Sequence, residues 1–182
     1  MMSRSIVSFE FKSISKGTEV TDEMIKLAEV QIVLFRVICP GRLLVILSGD
    51  EDAVRTVFNK GNEAGEGHIL DSALISGIKD TVIRALTSRV MMPPKGALGL
   101  FETMTISSGI KALDSTLKGG NLNLVKLQIA SGISGRLVFT VSGDVSDVEQ
   151  GLKSGKDAIE ARRIINTSII RSPDEMILKY IT

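Results

Sequence analysis

From Ser5 to Phe11 apolar and polar residues alternate loosely, the two-residue period of a strand. Val20, Met24, Leu27 and Ala28 then recur at helical spacing and predict one buried helix face. Val30 to Ile38 and Leu43 to Leu47 are rich in Val, Ile and Leu, and Cys39-Pro40-Gly41 between them is turn chemistry, so they predict a strand pair. Asp50 is placed to cap a second helix with Val54, Val57, Phe58 and Gly61 on one face. A last strand, Ile69 to Ile75, and a short helix follow.

The same order then begins again. Phe9-Glu10 recurs as Phe101-Glu102, Ile14-Ser15 as Ile106-Ser107, Gly17 as Gly109 and Asp22 as Asp114, all at a shift of 92 residues. Gly41-Arg42-Leu43 recurs as Gly135-Arg136-Leu137 and Ser48-Gly49-Asp50 as Ser142-Gly143-Asp144, at a shift of 94. The second copy therefore carries two extra residues just before Gly135, in the loop matching the one that holds Cys39. Asp144 begins the second copy's matching helix with Val148, Leu152 and Gly155, and Ile164 to Ile170 is its last strand. Each copy reads strand, helix, strand, strand, helix, strand, helix, which predicts an α+β fold: an antiparallel or mixed sheet with helices packed on one face. The paired prolines of Ser88 to Gly96 favour an extended connection. The expected organisation is a first domain at 1–88, a linker at 89–96 and a second domain at 97–182.

Composition narrows the chemistry. A net charge of +1 over 182 residues gives no general electrostatic attraction for nucleic acid or an anionic membrane. No apolar run approaches membrane-spanning length, and the amino terminus has no signal-peptide pattern, so a soluble intracellular protein is expected. One cysteine excludes an intrachain disulfide, and one cysteine with one histidine cannot build a zinc site within the chain.

Cys39 carries two readings. It is a half-buried thiol in a tight turn, or it is a metal thiolate whose loop, shaped by Pro40 and Gly41, points at a symmetry axis where other copies of the chain complete the site. The matching loop, Gln128 to Arg136, lacks the Lys-Ser/Thr pair of a phosphate-binding loop and precedes a strand. Ser131, Gly132, Ile133 and Ser134 are therefore expected to be structural or pore-lining. His68 has no ligand at metal spacing and is expected to be a solvated loop residue. Asp50 with Glu51, and Asp144 with Asp147, start helices, so capping accounts for them better than acid–base work. Lys26 and Lys118 are by default solvated helix residues. No Ser-His-Asp or Cys-His set can be assembled, so a hydrolase is not expected.

With both copies in view, the sequence resembles the tandem-domain shell proteins of bacterial microcompartments. The resemblance spans both copies and rests on several features: the Glu-containing first strand, the Asp-x-x-x-Lys pattern (Asp22 to Lys26; Asp114 to Lys118), the strand-loop-strand around Cys39, and the Gly-Asp before the second helix. The second copy ends Ile170-Arg171-Ser172-Pro173-Asp174-Glu175, similar to the family's ending but with Ser172 inserted; the first copy's Ser76 to Lys79 lacks that ending. Ile38-Cys39-Pro40-Gly41 and Ile129 to Gly135 are similar to a trimeric, iron-sulfur-binding branch of the family associated with propanediol utilisation.

The resemblance implies a non-enzymatic shell tile in the bacterial cytoplasm. In it a homotrimer forms a pseudohexamer, and Cys39 from three chains holds one [4Fe-4S] cluster at the central axis for electron transfer across the shell. Lys26, Lys118 and Arg171 would lie at tile edges against neighbouring shell proteins, and encapsulated redox enzymes are candidate partners. The alternatives are a metal-free tile whose pore passes small metabolites, and a tandem small-molecule sensor or enzyme that uses the glycine-rich loop.

Overall fold

A computed structural model describes residues 4–88, 92–130 and 132–181. It divides into two compact units, residues 1–78 and 79–182. The first contains β1 (Ser5–Phe11), α1 (Ile14–Leu27), β2 (Gln31–Ile38), β3 (Arg42–Gly49), α2 (Glu51–Ala64) and β4 (Ile69–Ile75). The second contains α3 (Asp80–Thr87), β5 (Ala97–Thr103), α4 (Ile106–Gly119), β6 (Asn123–Ile129), β7 (Leu137–Gly143), α5 (Val145–Asp157), β8 (Ile164–Ile170) and α6 (Glu175–Ile181), with one turn of 3-10 helix at Ala161–Arg163.

Each unit holds a four-stranded, wholly antiparallel sheet, ordered β2-β3-β1-β4 in the first and β6-β7-β5-β8 in the second. Alternation decides which side chains meet the helices. Val7, Phe9 and Phe11 of β1 and Leu43, Val45 and Leu47 of β3 form one face, which packs with Val20 and Met24 of α1 and Val54 and Val57 of α2. Phe9 stacks on Phe11 with ring centroids 5.6 Å apart; Phe101 and Phe139 stack at 5.1 Å in the second unit.

The helices lie this close to the sheet because glycine stands at the contact. A Cβ on Gly61 would lie 2.5 Å from Cζ of Phe9 and 2.6 Å from Sδ of Met24. The matching Gly155 faces Thr116 and Phe101 in the second unit. Both neighbours of Gly61 are fully buried, so neither has room to yield.

Three local features differ from expectation. Leu27, placed on the buried face by its spacing, is 52% exposed, because α1 ends there and its last turn carries the side chain off the sheet. Asp50 and Asp144 occupy N-cap positions, but their side chains accept no capping hydrogen bond; Glu51, Asp52 and Asp147 in the first turns supply the favourable charge instead. The short helix after β4, which closes the first repeat in sequence, packs in the second unit against α4 and β6. Part of the expected linker, residues 89–91, lies outside the described residues.

Gly61→Ala is expected to destabilise the fold by about 1–3 kcal/mol through overpacking, a drop of several degrees in Tm at about 2–4 °C per kcal/mol. An unchanged thermal midpoint would contradict this account of the helix seat.

Candidate functional site

Cys39 sits at the tip of the β2–β3 hairpin. Ile38 pairs with Arg42 across the ladder and is buried, and the Gly41 N–H donates to the Ile38 carbonyl at 3.0 Å, closing the turn. Gly41 has φ +86°, the left-handed region that glycine adopts without penalty. Beyond Ile38 the chain turns into open space. Cys39 and Pro40 are exposed, and a Cβ on Gly41 would meet nothing within 4 Å. The half-buried thiol expected from the turn is thus a fully presented one. Among the described residues no group of three His, Cys, Asp or Glu side chains could hold a metal ion. The donor is soft, singly supplied by the chain and uncovered by it, which fits a metal or cluster shared between chains.

The matching loop after β6 is built on left-handed turns. Ala130, Gly132, Ser134 and Gly135 all have positive φ, between 53° and 73°. Its amides are used internally: Ala130 donates to the Arg136 carbonyl, Ile133 to Ala130 and Arg136 to Ile133. Those N–H groups are therefore not aimed together at an anion, and the loop fits a structural or lining role better than a phosphate cradle. Gly132 and Ser134 are exposed and Ile133 is partly so; Ser131 lies outside the described residues. His68 is exposed, and its backbone is held by an N–H donating to Gly65 and a carbonyl accepting from Lys12.

The three expected edge cations are each in an ion pair. Lys26 reaches Asp22 at 2.5 Å, Lys118 reaches Asp114 at 2.5 Å and Arg171 reaches Glu149 at 2.9 Å. The first two pairs are repeat equivalents in unlike surroundings. The Asp22 side chain is 55% exposed and that of Asp114 only 3%. Asp114 also accepts the backbone N–H of Lys79 at 2.8 Å, and Lys79 Nζ donates to the Leu117 carbonyl, so Asp114 anchors the start of α3. Sequence reasoning missed this anchor, since the Asp-x-x-x-Lys spacing is identical in both copies.

Shifted acidities point away from acid–base catalysis. The hydrogen bond from Lys60 holds Glu23 below the usual carboxylate range and raises Lys60 in turn, and Arg162 likewise lowers Glu160. All are surface pairs that favour the charged forms, whereas a general acid needs the opposite shift.

The BMC domain model matches residues 5–78 and again 97–173. The chain belongs to the BMC domain family. Its two BMC domains are 33% identical over 175 residues to the bacterial microcompartment shell protein PduT of Citrobacter freundii, covering 96% of this chain and 95% of that one. A crystal structure of a microcompartment protein from Desulfitobacterium hafniense DCB superposes with a TM-score of 0.83 at 31% identity, covering 98% and 99% of the two chains. The fused permuted hexameric shell protein MSM0275 from the RMM microcompartment shares the fold, with a TM-score of 0.64 at 21% identity over 85% and 83% of the chains. This BMC protein is accordingly a structural shell protein and not an enzyme. Among the described residues no helix is long and apolar enough to cross a membrane.

Asp114→Ala removes the buried carboxylate that accepts the part-buried Lys79 N–H and pairs with Lys118, and is expected to cost about 1–3 kcal/mol, read as a lowered Tm. Lys118→Ala leaves the Lys79 N–H bond to the same carboxylate in place and is expected to cost less than Asp114→Ala. Equal effects would contradict the anchoring role given to Asp114.

Proposed function

We propose that three copies of this chain form a hexamer-like tile of a microcompartment shell in the bacterial cytoplasm. The three Cys39 thiolates then hold a single [4Fe-4S] cluster at their common axis. The observation that carries the reading is the position of the chain's one thiol: exposed, at a hairpin tip, and among the described residues in no group of three metal-ligating side chains. Two BMC domains per chain supply six per trimer, in keeping with a structural neighbour described as a fused permuted hexameric shell protein.

The chain's own residues would define the site. The Ile38–Arg42 pairing fixes where the thiol leaves the sheet, and Gly41 lets the turn stay narrow. Three thiolates leave one iron to a non-protein ligand. When bound, such a cluster supplies one-electron redox chemistry in the wall of the compartment. Lys26, Lys118 and Arg171 would meet neighbouring shell proteins at the tile edges, and encapsulated redox enzymes would be the electron partners. In the competing reading the same tile holds no metal, and Cys39 and the glycine-containing loops only narrow a pore for small metabolites.

Anaerobic reconstitution with iron and sulfide, followed by absorbance and EPR, separates the two. Wild-type protein is expected to show a [4Fe-4S] signature that Cys39→Ser loses while keeping its mass in solution. Colourless wild-type protein of trimer mass would sink the cluster and leave the metal-free tile.

A further inference from the structure

The two copies share a fold but not an environment, and the differences are reciprocal. On the α1–β2 side of the first unit Ile25 and Ile32 are 39% and 51% exposed; their equivalents on α4 and β6, Leu117 and Leu124, are 2% and 1% exposed. On the sheet face turned away from the helices the bias reverses. Leu44 and Ala73 are buried in the first unit, whereas the equivalent Val138 is partly open and Ser168 exposed in the second. Each surface is satisfied in one copy and open in the other.

The terminal helices follow the same rule. α3 seats on α4 and β6, burying Val82 and Leu86 and bonding to Asp114 and Leu117. A shift of 95 carries Val82 and Leu86 onto Ile177 and Ile181 of α6, which keeps the apolar pair yet buries no residue. The seat equivalent to that of α3, on α1 and β2, is the open one.

We infer that α6 of one chain docks on the α1–β2 face of a second copy, in the seat there that α3 takes on α4 and β6. Ile177 and Ile181 fill the places of Val82 and Leu86, against Ile25 and Ile32. Each chain then offers one helix and one seat, a head-to-tail contact that closes only as a ring. The inference rests on the trimeric reading above and names the element that joins its chains.

Two variants test it. Ile177→Asp/Ile181→Asp spoils the helix, and Ile25→Asp/Ile32→Asp spoils the seat. All four side chains are at least partly exposed within the chain, and Ala in place of Asp serves for either variant if far-UV circular dichroism shows loss of fold. In sedimentation equilibrium the wild type is expected at the mass of three chains. Each variant alone is expected to associate at least about tenfold more weakly, the loss of one or more buried apolar contacts. Their mixture is expected to recover two-chain complexes, because one helix and one seat remain intact between them. Variants that stay trimeric with unchanged affinity, or that dissociate without pairing on mixing, overturn the docking but leave the tile standing. A wild type that stays a single chain overturns both.

Discussion

Each sheet is covered by two helices that can approach only because glycine stands at the contact. Gly61 against Phe9 and Met24, and Gly155 against Thr116 and Phe101, set how near α2 and α5 come to the strands and to the helices beside them. That closeness lets the two helices bury a single face made of alternate residues from the central strands. The β2–β3 hairpin then has a fixed base, and the residue at its tip has a fixed position. Cys39 is presented by a rigid ladder whose last pair is Ile38 with Arg42, so the chemistry proposed for it depends on packing more than ten residues away in sequence.

Duplication gives one chain two copies of every surface, and the two copies are buried differently. Asp22 and Asp114 have the same sequence spacing to a lysine, yet one is a solvated ion pair and the other the buried anchor of α3. In the reading proposed above, a chain with one cysteine is a candidate for cluster binding because a site that one copy cannot complete would be completed by repetition around an axis.

Much of this was legible in the sequence. The strands at 69–75 and 164–170 fall where the apolar runs put them, and the 92- and 94-residue shifts locate both BMC domains. The β2–β3 pair and its Cys-Pro-Gly turn follow from composition alone. Burial was harder to read, because periodicity gives a face and not what covers it. Leu27 carries the helical spacing but sits on the last turn, beyond the sheet. Asp50 and Asp144 stand at N-caps that their side chains do not close, a matter of rotamer and not of sequence position. The seat of α3 was illegible because Leu117 and Leu124, which receive it, are matched almost type for type by Ile25 and Ile32, which stand exposed in the first copy.

The central claim is that the thiol site is a property of the assembly and not of the chain. Native mass spectrometry of anaerobically reconstituted wild-type protein tests it most directly, since it weighs protein and inorganic cargo together. The account predicts a species of three 19.6 kDa chains carrying the mass of one four-iron, four-sulfide cluster. A cluster carried by a single chain, or one cluster for every chain of the trimer, would contradict it.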